Sequence, residues 1–412
     1  MSHNLADYFQ GVALKTLSAV EAERSRSNQH EFQATASMRE FLGNPSEPLI
    51  FPATFLYLAD NADLNKSESS TLTLYDARKN NPQRSAEYRL YFRDNDATDV
   101  AHAGDLLAIL QKPNKDLVVV IAQGGSLVEH QVRQLFGQTK ASDLDKFTVS
   151  TTRELSQEVV ALPEKIILEL LGAETATPDE SLVSQDLIWR TFPQIPTGRE
   201  LADFARKHSP FALEDIGPDQ ALMNWLDIEY ETFRSLERRD VHDRLQQGFS
   251  QGSEIDVESF IQFSTSVLNR RKSRAGKSLE YHLEHIFRMH NVLFSSQEHT
   301  EGRNQPDFLF PGIAQYQQVE FPEELLIFLG AKRTLKDRWR QVLTEAQRIP
   351  IKHLATVDAG LTTSQISEIS QAQVLLVIPE PVIALYPDDI ATEFLSLAVF
   401  LQLVLDRQSS WQ

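Results

Sequence analysis

The sequence predicts two domains: a mainly β N-terminal domain, then an α/β domain whose mixed sheet carries helices on both faces. Three observations predict it. The chain has 412 residues, more than one ordinary core holds and comfortable for two. Up to about residue 172 it reads as short runs rich in Leu, Val, Tyr and Phe between polar turns, whereas beyond about 182 apolar residues recur at helical spacing. Between these stretches lies AETATPDES, residues 173–181, which is small, polar and Pro-containing and reads as a linker. The expected domains are therefore 1–172 and 182–412.

In the first domain LIFPATFLYLA, STLTLYDA, EYRLYF and DLVVVIAQ are the expected strands of a β-barrel or sandwich. SLVEHQVRQLFG and PEKIILELLG are expected helices, the second closed by Gly172. In the second domain ELADFARKH, DQALMNWLDIEYETFRSLERRDVHDRL and DVESFIQFSTSVLNR are expected helices. From Lys277 onward a helix (SLEYHLEHIFRMH) leads to two strands (PDFLF and ELLIFLGAKRT). A helix (KDRWRQVLTEAQRI), two more strands (KHLATV and AQVLLVIP) and a closing helix (TEFLSLAVFLQLVL) follow.

Composition narrows the chemistry. The chain has no cysteine, which excludes disulfides, thiolate zinc sites and cysteine nucleophiles and suits a reducing compartment. The start, MSHNLADYFQGVALKTL, lacks the pattern of a signal peptide, so a cytoplasmic location is expected. The most apolar stretch, Phe394 to Leu405, is interrupted by Ser396 and Gln402 and falls short of the roughly 20 residues that span a bilayer, so no membrane partner is expected. A net charge of −18 argues against a polyanion as partner. Its distribution argues the other way: cations gather at Arg24 and Arg26, along Arg78, Lys79, Arg84, Arg89 and Arg93, and most densely along Arg270, Arg271, Lys272, Arg274 and Lys277.

Asp307 opens one apolar strand and Lys332 ends the next. If the two strands pair, carboxylate and ammonium converge at one sheet edge, an arrangement suited to metal-assisted phosphodiester hydrolysis. Mg²⁺ takes a few hard oxygen ligands and keeps its remaining waters, so one or two further acids are expected nearby. In the common form of this pattern the second acid stands two residues before the lysine, a position held here by Gly330. Glu345 is the expected substitute, following Trp339 and Val342 on a helix; its alternative is a solvated acid paired with Arg348 or Gln341. Glu280 is a further candidate. The run NRRKSRAGKSLE offers donors for guanine in the major groove or for phosphates. His282 and His285 lack a third ligand at useful spacing and read as surface histidines. No phosphate-binding GxxxxGK[ST] loop or GxSxG elbow occurs.

At NRRKSRAGKSLEYHLEH, EGRNQPDFLFP and GAKRTLKDRWRQVLTEAQRI the sequence resembles the EcoRII family of type II restriction endonucleases, over about Trp189 to Leu405. The resemblance implies an αβα sandwich of the PD-(D/E)XK type, with Asp307, Lys332 and Glu345 as the core active site and Asp307 and Glu345 holding Mg²⁺. It implies Glu280 and Lys336 as neighbours, Tyr316 as a further active-site residue, and Arg271, Lys272 and Arg274 as the stretch that reads paired C·G steps; Lys277, in the same basic run, is a further expected DNA contact. Double-stranded DNA is the implied partner, cut at sites of the CC(W)GG type before the first cytosine to leave five-nucleotide 5′ overhangs, with the central pair flipped out. A cognate DNA methyltransferase is the partner protein to expect, and a homodimer is one assembly the resemblance allows.

RSRSNQHEF and ARKNNPQRSAEYRLYF resemble the DNA-gripping arms of a B3-like pseudobarrel, which implies an effector role at a second copy of the site; the basic Arg26, Arg78, Lys79, Arg84 and Arg89 and the amide-bearing Asn28 and Gln29 are chemically suited to phosphate and base contacts. The chain departs from the family at DQALMNWLDIEYETF, where the family has arginines implicated in domain coupling. Two alternatives stay open: a methylation-dependent nuclease, and a non-catalytic DNA-binding protein.

Overall fold

A computed structural model describes residues 4–22, 30–79, 83–138, 146–156, 168, 183–251, 254–301, 304–335 and 338–410. The chain divides into two compact units, residues 2–177 and 178–412. The stretch 173–181 lies outside the described residues, as does PEKIILELLG apart from Leu168.

Among its described residues the first unit has eight strands: β1 (Gly11–Thr16), β2 (Glu31–Gln33), β3 (Leu49–Leu58), β4 (Lys66–Asp76), β5 (Tyr88–Phe92), β6 (Leu106–Gln111), β7 (Leu117–Ala122) and β8 (Thr148–Thr151). They form one sheet in the order β2-β5-β4-β3-β7-β6-β1-β8. Among the described residues of this sheet, the β3–β7 pairing is parallel and the other pairings are antiparallel. The four expected strands are β3, β4, β5 and β7. β6 and β7 are buried at every position, so LLAIL and LVVVIA form continuous apolar runs rather than alternating ones. The core gathers Phe32, Phe55, Leu72, Leu90 and Phe92. Helix α1 (Leu127–Leu135) starts at Ser126, whose hydroxyl accepts the N–H of Glu129 at 3.1 Å.

The second unit begins with helices. α2 (Gly198–Lys207) opens on a capping box between Thr197 and Glu200. The helical run α3 (Leu213–Gln247) breaks at Gly217, whose φ of 75° is left-handed, and restarts at Pro218. Helix α4 (Val257–Met289) corrects the expected division: DVESFIQFSTSVLNR and SLEYHLEHIFRMH are one 33-residue helix that runs through the basic segment. A single interior glycine, Gly276, costs about 1 kcal/mol and does not stop a helix this long.

A short hairpin of β9 (Ser250–Gln251) and β10 (Glu254–Ile255) precedes α4. The main sheet of this unit consists of β11 (Phe308–Phe310), β12 (Ile327–Ala331), β13 (Lys352–Ala355) and β14 (Val374–Val377), side by side in that order. β11 and β12 are antiparallel; β12, β13 and β14 are parallel. Helix α5 (Thr363–Gln371) connects the last two strands, and α6 (Leu397–Ser409) closes the chain. On one face of the sheet Phe308 and Phe310 pack edge-on against Phe287 of α4, with ring centroids 5.2 Å and 5.1 Å apart, and Phe310 and His353 meet Phe400 of α6. Alternation along the strands places Asp307, Phe328, Gly330 and Lys352 on the other face. A buried carboxylate ties α3 to α6: Asp219 accepts the N–H groups of Leu397 and Ala398 at the start of α6, both at 2.8 Å.

The segment after Lys332 departs from expectation. Its regular part is a 3₁₀ helix, Arg338–Thr344, not an α-helix. Gly330 explains how closely it packs: a Cβ there would lie 2.9 Å from Val342 Cγ1 and 3.2 Å from Leu354 Cδ1. Bare backbone at Gly330 lets Val342 settle onto β12.

Candidate active site

Antiparallel pairing sets Phe308 opposite Leu329. One residue further along this register, Asp307 reaches the end of β12, and the expected convergence forms. Lys332 Nζ donates to Asp307 Oδ2 at 2.7 Å, and the Ala331 N–H donates to the same oxygen at 2.7 Å. Asp307 Oδ1 accepts from Gln297 Nε2 at 3.0 Å. The same amide nitrogen donates to Glu280 Oε2 at 3.2 Å, so Gln297 bridges the acid on α4 to the acid beside β11. Gln297 holds a left-handed φ of 57°, and its N–H donates to the Pro306 carbonyl at 3.0 Å.

Glu345 follows the 3₁₀ helix and shares the field of this pair. Its carboxyl is pushed up to about 7, first by burial and then by the charge of Asp307, against which Lys332 and Lys352 act. Glu280 is likewise pushed up to about 7 by burial and by Asp307, opposed by Lys332 and Lys277. Neither of the alternative partners weighed for Glu345 takes it: the Arg348 guanidinium instead binds the carbonyls of Gln318 and Phe321, each at 2.8 Å, and lies 3.5 Å from Glu323. The Gln341 carbonyl accepts the Thr344 hydroxyl at 3.1 Å.

The donor set fits a hard divalent cation. Three carboxylates share one field, and two hold their protons to near-neutral pH because they are buried and that field is negative; a cation would relieve it. Among the described residues no three His, Asp or Glu side chains form a ready-made cage. A cation that keeps most of its water needs only one or two carboxylates.

Tyr316 is buried, and its hydroxyl donates to Glu301 and accepts the Arg348 N–H at 3.3 Å. It therefore meets the segment after Glu345 and not Asp307 or Lys332. Lys336 lies outside the described residues, as do Arg26, Asn28 and Gln29. Arg271, Lys272 and Arg274 belong to α4, which also carries Glu280. Lys277 is exposed, one turn before Glu280. In the first unit Arg89 is paired with Glu31 and Glu87, both at 2.7 Å, Arg78 with Glu87, and Lys79 with Glu47 at 2.6 Å, while Arg84 is exposed.

The expectation of surface histidines is corrected at His282, which is fully buried. Its Nδ1 lies 3.0 Å from Arg206 Nη1, which can only donate, so Nε2 carries the proton and donates to Glu229 Oε2 at 2.9 Å. Ser278 Oγ donates to the same carboxylate oxygen at 2.8 Å. This network joins α2, α3 and α4, and burial holds the imidazole below its usual pKa. Sequence reasoning misses Gln297, Glu301 and Lys352. Of these only Lys352 carries a signal, a lone cation opening an apolar strand.

Residues 233–401 match the model of a family described as EcoRII C terminal. That span contains Glu280, Asp307, Lys332 and Glu345. The type II restriction enzyme EcoRII of Escherichia coli is 40% identical over 209 residues, which are 50% of this chain and 50% of that protein. The chain thus spans about half the length of the curated relative it matches. Among solved structures, metal-depleted Ecl18kI in complex with uncleaved, modified DNA is 19% identical, with a TM-score of 0.44 over 57% of this chain and 86% of that one. The restriction endonuclease PspGI–substrate DNA complex is 12% identical, with a TM-score of 0.41 over 54% of this chain and 96% of that one. The similarity to the EcoRII family of restriction endonucleases thus lies in the C-terminal half of this chain.

Proposed function

We propose that the protein is a type II restriction endonuclease, a Mg²⁺-dependent enzyme that cuts both strands of DNA at a short site of the CC(W)GG type. The observation that carries the reading is the contact of Lys332 with Asp307 in the shared field of Glu280 and Glu345. Asp307 and Glu345 would hold the ion. When bound, Mg²⁺ supplies Lewis acidity for the negative charge that develops on the scissile phosphate. Lys332 orients the attacking water and offsets charge at the phosphate, and its contact with Asp307 fixes the ammonium there before DNA arrives. Glu280, joined to Asp307 through Gln297, stands at the same centre as a further acid.

Readout and cleavage meet on one helix. Arg271, Lys272 and Arg274 precede Glu280 on α4, and the six residues from Arg274 to Glu280 span roughly 9 Å along a helix axis. A rigid rod therefore couples base or phosphate contacts to an active-site acid. The N-terminal unit, read as a B3-like pseudobarrel, serves as an effector domain that holds a second copy of the site. Double-stranded DNA is the substrate, the cytoplasm the compartment, a cognate DNA methyltransferase the companion enzyme and a homodimer one assembly consistent with this reading. Among the described residues no helix is long and apolar enough to cross a membrane.

The test is digestion of supercoiled plasmids carrying one or two CCWGG sites. Cutting should require Mg²⁺ and stop with EDTA, and the two-site plasmid should be cut faster, because a tethered second reader raises effective concentration. An intact two-site plasmid in Mg²⁺ would refute the reading.

A further inference from the structure

The turn that presents Glu345 rests on a buried cation that the reaction itself does not use. Lys352 opens β13 on the sheet face that carries Asp307 and is 4% exposed. Its Nζ donates to the carbonyl of Glu345 at 2.5 Å and to that of Ala346 at 2.5 Å, and it lies 5.2 Å from the centre of the Phe328 ring. Ala346 has a left-handed φ of 46°, which a residue with a Cβ adopts when its surroundings impose it. On the flank, Asn304 Nδ2 donates to the Thr344 carbonyl at 2.7 Å. Beyond the turn, the Gln347 N–H donates to Glu301 Oε2 at 3.4 Å and the Arg348 N–H to the Tyr316 hydroxyl.

The carbonyls at the end of a 3₁₀ helix have no partners within it, and burial makes that expensive. The carbonyl of Thr344, last in the helix, and those of Glu345 and Ala346 just beyond it are taken here by two side chains from outside the segment, the Ala346 carbonyl also accepting the Ile349 N–H at 2.9 Å. The site needs such an anchor for a stated reason. With Gly330 in place of an acid, the second carboxylate comes from an irregular segment, not from the strand that fixes Lys332, so something else must set its position.

We propose that Lys352, aided by Asn304, is a positioning residue of the active site: it clamps the carbonyls of Glu345 and its neighbours and so holds the Glu345 carboxylate beside Asp307. The inference rests on the proposed role of Glu345 as a ligand of the divalent ion. Outer-shell partners of metal ligands typically matter by about 10–100-fold in metal affinity.

Mn²⁺ binding to the full-length protein, followed by the electron paramagnetic resonance signal of the free ion, reads this without cleavage. The variants are Lys352→Met, Asn304→Ala, Glu345→Gln and the double variant Lys352→Met/Glu345→Gln, each checked for folding by circular dichroism. Glu345→Gln and Lys352→Met should each weaken Mn²⁺ binding by about 10–100-fold. Asn304→Ala should weaken it less, and the double variant should be no weaker than Glu345→Gln alone, because a clamp has nothing left to position. Wild-type Mn²⁺ affinity in folded Lys352→Met, or additive losses in the double variant, overturns the proposal. If Lys352→Met does not fold, Asn304→Ala decides, and unchanged binding there overturns it equally. Wild-type affinity in Glu345→Gln has a separate meaning: it removes Glu345 from the metal site, and the clamp's purpose with it.

Discussion

Lys332 and Asp307 meet at 2.7 Å across two antiparallel strands, the lysine one residue past the end of β12 and the aspartate one residue before the start of β11. Both are thereby held by the sheet and not by a loop. Replacing either Asp307 or Lys332 with alanine should lower single-turnover cleavage by roughly three orders of magnitude or more. Binding of a cognate duplex in Ca²⁺, measured by gel shift, should be largely kept. Near-normal cutting by either variant would remove this active site.

The acids make the metal-free protein sensitive to pH. Glu280 and Glu345 are pushed up to about 7 in the folded protein from a normal 4.5. Between these values the folded state holds protons that the unfolded chain has released. Their stabilising contribution is therefore full below pH 4.5 and is lost as pH rises through about 7. The melting temperature in EDTA should fall between about pH 5 and about pH 8, and the double variant Glu280→Gln/Glu345→Gln should flatten that slope. A slope unchanged by the two substitutions would show that other groups govern it.

Gly330 should resist even a methyl group. A Cβ at that position meets Val342 and Leu354 at 2.9 Å and 3.2 Å, and overpacking of this kind costs about 1–3 kcal/mol. Gly330→Ala should lose stability of that order in urea unfolding and cleave more slowly, because relief requires the segment before Glu345 to move. Wild-type stability and activity together would contradict the packing described.

How much of the site is legible in the sequence follows from what each residue pattern determines. Asp307 and Lys332 are legible because each is a charge at the end of a short apolar strand, and neighbouring strands bring such ends together. Glu345 is legible too, but its segment reads wrongly as an α-helix. Trp339, Val342 and Glu345 are spaced by three, a period that an α-helix tolerates and a 3₁₀ helix repeats. β6 escapes recognition because LLAILQ shows no alternation and consists largely of Leu, Ala and Gln, whereas the equally buried LVVVIA of β7 is rich in β-branched residues that mark a strand. His282 reads as a surface residue because its partners, Glu229 and Arg206, lie on other helices, 53 and 76 residues away. Gln297 is invisible for the same reason: nothing local marks a loop glutamine as the bridge between two acids.

The basic run on α4 separates two kinds of contact. If Arg271 or Arg274 forms a bidentate pair with guanine, its replacement by alanine should cost about 1–3 kcal/mol of discrimination between cognate and altered sites. Loss of a phosphate contact would weaken all duplexes alike and reduce the salt dependence of binding. Equal losses on cognate and random duplexes, measured by fluorescence anisotropy, would assign the run to the backbone.

The most direct measurement is to sequence the ends that the wild-type enzyme leaves on methylated and unmethylated plasmid DNA in Mg²⁺. Unmethylated DNA should be cut at a single class of site, before the first cytosine of CCWGG on each strand, leaving five-nucleotide 5′ overhangs, and Asp307→Ala should leave no such ends. Ends scattered without a common sequence, or cutting confined to methylated DNA, would contradict the proposed activity.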